Sequence, residues 1–130
     1  MIASLNLLQA AADLTDLWSP KVIAQVNDQY VKVAKLQGEF VWHKHDNEDE
    51  LFQVLRGSMR IQIENQPDVE LRTGDICVIP RGTLHNPIAE QECWIALIET
   101  VTTQHTGDTQ TPRTRSIQDQ LGKPDQLKQA

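Results

Sequence analysis

An amphipathic segment opens the chain. Four apolar residues at helical spacing form a single stripe along it: Leu7, Ala11, Leu14 and Trp18. Pro20 ends the pattern because the residue before a proline disfavours helical backbone angles. With Ser4 as its N-cap, this segment predicts a helix whose apolar stripe packs against a sheet or a partner subunit.

From Lys21 to about Thr103 the pattern changes to short runs of β-forming residues separated by turn residues. The clearest run is Met59 to Ile63, in which apolar and polar residues alternate strictly. The predicted strands lie within residues 26–36, 40–45, 51–55, 59–63, 69–72, 76–79 and 94–98. Six or seven strands at intervals of about 8–12 residues predict an all-β antiparallel sandwich or barrel.

The length of 130 residues leaves room for one domain. We divide it into an N-terminal helix that packs on the barrel (1–20), the barrel (21–104) and a C-terminal tail (105–130). The tail predicts a surface loop, with short helical turns at 117–121 and 126–129. At the start of the tail, His105 to Asp108 indicates a turn, and we favour a solvated loop over one that folds back across the barrel mouth.

The charge balance excludes two classes of partner. Lys and Arg number 12 against 18 Asp and Glu, so the net charge of -6 argues against nucleic acid and anionic membrane surfaces. No apolar run approaches the roughly 20 residues of a membrane-spanning helix. The apolar N-terminus has no preceding Lys or Arg and is interrupted by Asp13 and Asp16, so we expect no signal peptide and a cytoplasmic protein. The two cysteines lack metal or redox spacing and are expected to be small buried residues.

The histidines supply the candidate chemistry. His43 and His45 are one residue apart on a predicted strand, so both rings project from one face. Glu50 begins the next strand, and His85 follows the turn that starts at Pro80. Imidazoles and a carboxylate brought together in this way predict a site for one divalent transition metal ion, namely Fe, Mn, Ni, Co or Zn.

These residues also carry a family resemblance. The segments Gly38-EFVW-His43-K-His45-DNED-Glu50-LFQVLR-Gly57 and Gly74-DICVI-Pro80-R-Gly82-TL-His85 resemble the two motifs of the cupin superfamily. One residue fewer separates the first glycine from the first histidine than in the family pattern, and Ala89 stands where the second motif ends in asparagine.

The resemblance implies a double-stranded β-helix, a small jelly-roll barrel with a metal ion inside one end. It also implies that His43, His45, Glu50 and His85 are the four metal ligands. Glu48 is a neighbouring alternative, but only Glu50 has the family spacing to Gly57. The chain resembles the small single-domain cupins described as phosphomannose-isomerase-like.

The expected pocket lies on the inward apolar face of the strands. The candidate lining residues are Val41, Phe52, Val54, Met59, Ile61 and Val78, with Trp42 and Trp94 as further possibilities. Four protein ligands on an octahedral ion leave two positions for a small oxygenated molecule, such as a sugar or a carboxylic acid.

Two functions remain open from the sequence. One is a metal-dependent oxygenase or isomerase, although no catalytic residue beyond the ligands is evident. The other is a non-catalytic module that binds or senses a small molecule. In either case we expect a homodimer, because a jelly roll of this size exposes sheet edges that the N-terminal helix or a second copy could cover.

Overall fold

The structure is a computed structural model that describes residues 2–122. That span contains seven β-strands and two short helices. The strands are Lys21–Val26 (β1), Gln29–Glu39 (β2), Glu50–Arg56 (β3), Ser58–Ile63 (β4), Gln66–Arg72 (β5), Ile76–Ile79 (β6) and His85–Thr100 (β7). The helices are Leu7–Ala12 (α1) and Ile117–Leu121 (α2).

The strands pair antiparallel in the order β1-β2-β7-β3-β6, and β4 joins this path by pairing with β7 and β5. The 16-residue strand β7 organises the fold, because it pairs with β2 along one edge and with two strands along the other. Its first residues pair with β4, and its later residues pair with β3. This antiparallel jelly roll, preceded by a short helix, confirms the predicted fold class.

The core lies on the inward faces of these strands. On β4, Met59, Ile61 and Ile63 are buried and alternate with more exposed polar residues, as their period-two pattern predicted. Full burial of a side chain of this size stabilises the fold by about 1.5–3 kcal/mol. Burial of the apolar face that this alternation creates therefore stabilises the barrel.

Helix α1 is shorter than its apolar stripe predicted, and it begins two residues later. Asn6, not Ser4, is the N-cap, and its side chain accepts a hydrogen bond from the backbone N–H of Gln9 at 2.8 Å. The chain leaves the helix after Ala12. At Trp18 the backbone N–H instead donates to the carbonyl oxygen of Lys35 at 2.8 Å, so contact with β2 replaces further helix.

Other predicted boundaries also shift. Residues 40–45 are not a strand, and their only β-pairing in the described part of the chain is an isolated bridge between His43 and His85. Strand β5 starts earlier and β7 is much longer than predicted, because the additional residues of both strands pair with neighbouring strands. The predicted turn at 117–121 is α2, capped by Ser116, whereas the predicted turn at 126–129 lies outside the described residues. Within residues 2–122 no helix is long and apolar enough to span a membrane.

Candidate metal centre

The backbone brings the two halves of the site together. The N–H of His43 donates to the carbonyl oxygen of His85, and the N–H of His85 donates to that of His43, both at 2.9 Å. His45 is held by the N–H of Gly82, which donates to its carbonyl oxygen at 2.7 Å. Because Glu50 begins β3 and His85 begins β7, the ends of two strands and one extended loop meet at one point.

The structure gathers the four predicted ligands into one buried cluster. The ligand atoms of His43, His45, Glu50 and His85 all lie within 4.8 Å of one another. The two carboxylate oxygens of Glu50 lie 3.6 Å from Nε2 of His45 and 3.5 Å from Nε2 of His85. All four residues are at most 5% exposed, so the cluster is shielded from bulk water.

In two of the three histidines of the cluster, a hydrogen bond to the backbone determines which ring nitrogen faces the site. Nδ1 of His43 contacts the carbonyl oxygen of Val41 at 2.9 Å, and Nδ1 of His85 contacts that of Thr83 at 2.8 Å. A carbonyl oxygen only accepts, so in both rings Nδ1 carries the proton. In the neutral rings, Nε2 is therefore left with a free lone pair for a metal ion.

Unsatisfied polar atoms show that the cluster fits a cation. Nε2 of His45, Nε2 of His85 and Oε1 of Glu50 are buried without a hydrogen-bond partner among the described residues. Such atoms are costly unless something satisfies them. Two bare imidazole nitrogens and a carboxylate oxygen pointing at one another suit a divalent transition metal ion.

The electrostatics of the cluster agree with this fit. Burial, together with the neighbouring His85, lowers the pKa of His43 to about 4, so this ring is neutral at physiological pH. Burial would also lower the pKa of His45, but the adjacent Glu50 carboxylate more than offsets it and raises that pKa. Although burial opposes ionisation of Glu50, its contacts with Glu99 and the two histidines hold its pKa well below the usual range.

The structure distinguishes Glu50 from its acidic neighbours. Glu48 accepts a hydrogen bond from the hydroxyl of Thr102 at 2.9 Å and lies outside the cluster. Asp49 accepts one from the backbone N–H of Arg81 at 2.9 Å, at the surface. Only Glu50 of these three carboxylates joins the histidines.

A cavity adjoins the cluster. Its volume is about 30 Å³, which is room for roughly two water molecules. His43 and Glu50 form part of its wall. The other residues of the wall are Trp18, Pro20, Ala34, Leu36, Phe40, Phe52, Pro87, Ile95, Leu97, Glu99 and His105.

Of the predicted lining residues, only Phe52 borders this cavity. Three others, Val54, Met59 and Ile61, belong to the hydrophobic core, and Val41 packs against that core. The remaining prediction, an inward Val78, was wrong. This side chain is 52% exposed because the alternation of β6 turns Cys77 and Ile79 inward and Val78 outward. Trp42 and Trp94 lie away from the cavity as well.

Sequence reasoning missed a buried charged group beside the cluster. Glu99 is the cross-strand partner of Glu50 and forms an ion pair with the buried Lys32, whose Nζ lies 2.7 Å from Oε1. Burial and the charge of Glu50 raise the pKa of Glu99, and the ammonium of Lys32 opposes this shift by favouring the carboxylate. A signal was present in the sequence, because Glu99 continues the inward face of β7 formed by Ile95 and Leu97.

His105 was missed as well, and the expectation of a solvated loop there was wrong. Its side chain lines the cavity, and its ring centroid lies 5.1 Å from that of Phe40. Thr103 and Thr106 on either side are fully buried. We call residues 103–116 the C-terminal strap, because this segment packs on the loop after β2, where Gly107 lies against the backbone of Lys44.

Comparison with known proteins shows which family has this fold. Residues 29–97 match the family described as the cupin domain. The chain belongs to the cupin family. The matched segment contains all four residues of the cluster but not Trp18, Pro20 or the strap, so the parts of the cavity wall that these residues supply lie outside it.

Three similar proteins illustrate the extent of the match. The cupin is 38% identical over 80 residues to the uncharacterized protein YdbB of Bacillus subtilis, which covers 62% of this chain and 71% of YdbB. A cupin-2 domain containing protein from Shewanella frigidimarina has a TM-score of 0.71 and 41% identity, covering 74% of this chain and 93% of that one. Protein NMB1881 from Neisseria meningitidis has a TM-score of 0.70 and 28% identity, covering 75% and 99% respectively.

Proposed function

We propose that this cupin is a metal-dependent enzyme, of the oxygenase or isomerase type, that acts on a small oxygenated organic molecule such as a sugar or a carboxylic acid. One observation carries the proposal. A buried cluster of three histidines and a carboxylate forms part of the wall of a mostly apolar cavity, beside a further carboxyl group.

The cluster would hold one divalent ion, Fe, Mn, Ni, Co or Zn, through His43, His45, Glu50 and His85. When bound, such an ion polarises an oxygen atom of a substrate as a Lewis acid or, if it is iron, supports chemistry with O₂. The protein supplies the donor set and the shielding that make this chemistry selective.

The cavity wall favours a small substrate. Phe40, Phe52 and Leu97 present apolar surface, which excludes competing water from the reacting atoms. Glu99 adds a polar contact, because its Oε2 is buried without a hydrogen-bond partner in residues 2–122. A substrate hydroxyl could satisfy that oxygen while its other oxygen atoms face the cluster.

Metal content and turnover test the proposal together. Protein purified without chelators should contain about one transition metal ion per chain, and His45→Ala should lose it. Lys44→Ala is the matched control, because its side chain is half exposed and points away from the cluster. Metal-loaded protein is then incubated with aldoses and with 2-hydroxy and 2-oxo acids, with and without O₂, and the products are identified by mass spectrometry.

Three outcomes are distinguishable. Product that appears only with the metal and disappears in His45→Ala supports the enzyme. A ligand that raises the Tm of the loaded protein without any product supports the alternative, a non-catalytic module for binding or sensing small molecules. Wild-type protein that takes up no metal even after reconstitution overturns the metal centre.

We further propose that the cupin is a homodimer. The outer faces of β3, β6 and β7 carry an apolar row, which consists of Leu51, Ile76, Val78 and Ile98. Leu51 pairs with Val78 on one side and Ile98 on the other. The exposures of Ile76, Val78 and Ile98 are 61%, 52% and 37%. Since β6 ends the strand order within the described chain, the row reaches a sheet edge that a second copy could cover symmetrically.

A further inference from the structure

His105 is an unusual residue for the wall of an apolar cavity. It comes from the strap rather than from the barrel, and it lines the cavity together with His43 and Glu50 of the metal cluster. Its ring is tilted against Phe40, whose own ring contacts that of His43 edge-on at 5.6 Å. His105 is therefore one aromatic ring away from the cluster without being part of it.

The backbone determines the tautomer of His105. The N–H of Arg115 donates to Nδ1 at 2.9 Å, so Nδ1 is an acceptor and cannot carry a proton. In the neutral ring the hydrogen must therefore be on Nε2. Burial, reinforced by His43 and nearby cations, lowers the pKa of His105 to about 4, which agrees with a neutral ring. Nε2 has no hydrogen-bond partner in the part of the chain that the structure describes.

The strap holds this ring in place. Gly107 lies directly on the backbone of Lys44, with a left-handed φ of 56° that a residue with a Cβ disfavours. The hydroxyl of Thr106 is buried and bonds to Thr114 at 2.7 Å. The guanidinium of Arg113 donates to the carbonyl oxygen of Glu39 and lies 5.7 Å from the ring centre of Trp18. The donor on His105 is thus preorganised rather than carried on a solvated loop.

We propose that His105 is a ligand-binding residue whose Nε2–H donates a hydrogen bond to an oxygen atom of the molecule held in the cavity. This inference rests on the proposed metal-dependent function. The ligand class is a small molecule with two neighbouring oxygen atoms, one for the metal ion and one for His105. A neutral donor in an apolar wall favours such an oxygen over an apolar group, because only the oxygen satisfies the N–H.

The experiment uses cobalt-loaded protein and two probes. Acetohydroxamate has two neighbouring oxygen atoms, whereas imidazole binds a metal ion through nitrogen and offers no oxygen acceptor. Binding of each is followed by the visible absorption of cobalt. His105→Phe keeps a ring but removes the donor, and His105→Gln returns an N–H near the position of Nε2. Gln104→Ala is the matched control, since its exposed side chain precedes His105 on the strap.

We expect His105→Phe to weaken acetohydroxamate binding by about 10- to 100-fold, with unchanged cobalt content and unchanged imidazole affinity. His105→Gln should recover part of the loss, and Gln104→Ala should bind both probes like wild type. Equal acetohydroxamate affinity in His105→Phe, or an equal loss for both probes, overturns the role of His105 but not the metal centre. Wild-type protein that fails to bind cobalt overturns the proposed function, and the inference falls with it.

A second readout does not need a metal ion. In metal-free protein, ¹⁵N spectra of the histidine rings should show His105 as the neutral tautomer with its hydrogen on Nε2. A ring protonated on Nδ1, or a charged ring at neutral pH, overturns the proposed donor. The same spectrum checks that the His105→Gln and Gln104→Ala variants retain the native environment of the other three histidines.

Discussion

At the residue scale, backbone carbonyls decide what the histidine rings of the cluster can do. Val41 and Thr83 each accept from an Nδ1–H, which turns the Nε2 of His43 and of His85 toward Glu50. Outer contacts of this kind orient metal ligands and fix their tautomers. Here they come from residues two positions earlier in the chain, so each ring is oriented by its own local segment.

Glu48 and Glu50, the two candidate metal ligands among the glutamates, can be distinguished by single substitutions. We expect Glu50→Gln to weaken metal binding by at least about 100-fold, because it removes the negative charge and one donor oxygen from the cluster. Glu48→Gln should retain wild-type affinity, since the carboxylate of Glu48 bonds to Thr102 outside the cluster. Competition with a chromophoric zinc chelator measures both affinities. Full metal binding by Glu50→Gln, with loss in Glu48→Gln, would contradict the assignment.

Lys32 and Glu99 form a buried pair beside the cluster, and burying them costs solvation free energy. Both are buried, and their ion pair is supported by the hydrogen bond that Nζ of Lys32 donates to Gln120 of α2. A buried ammonium requires compensation by charge and hydrogen bonds, and here strand β7 and helix α2, which lie far along the chain from Lys32, provide it. The electrostatics beside the cluster therefore depend on the C-terminal segment as well as on the barrel.

At the element scale, the strap adds to the cavity a wall residue that does not come from the barrel. It crosses from the end of β7 to α2 and places His105 in the wall. The strap lies very close to the loop after β2 at Gly107, where an added Cβ would lie 1.9 Å from the carbonyl oxygen of Lys44. This position tolerates no side chain unless the strap moves.

We expect Gly107→Ala to displace the strap. It should lower the Tm by several degrees, in line with about 1–3 kcal/mol of strain, and should speed tryptic cleavage at Arg113 and Arg115. Gly74→Ala is the matched control, because Gly74 shares a positive φ of 93° but has nothing within 4 Å of the added Cβ. If both variants show the same Tm and the same cleavage rate, the strap does not depend on this contact.

At the scale of the whole molecule, the barrel leaves its outer apolar row uncovered within residues 2–122. Monomeric globular proteins rarely expose a large contiguous apolar patch unless another surface covers it. A two-fold dimer would cover the row on both copies with one contact.

We expect wild-type protein to sediment as a dimer at micromolar concentration and Val78→Glu to sediment as a monomer. The introduced charge would have to be buried against the apolar row of the second copy. Val26→Glu is the matched control, because Val26 is 59% exposed but lies on β1, at the other end of the strand order. A monomeric wild type would refute the dimer, and a dimeric Val78→Glu would place its interface elsewhere.

The sequence determined the parts of this protein that depend on local periodicity. Met59, Ile61 and Ile63 could be placed inward, and His43 and His45 on one face, because side chains of extended backbone alternate whatever the rest of the chain does. The motif spacing then selected Glu50 and His85 for the same cluster. That selection needed the family pattern, since no local rule brings the ends of two distant strands together.

Only the tertiary structure decided what surrounds the cluster. Phe52 and Val54 both point inward from β3, yet only Phe52 reaches the cavity, since depth along the barrel depends on the pairing register of distant strands. His105 lines the cavity because the strap folds back over the barrel, held by contacts such as Gly107 on Lys44. Contacts of this kind join residues about 60 positions apart. These contacts form only once the barrel has assembled, so the sequence pattern around His105 does not predict them.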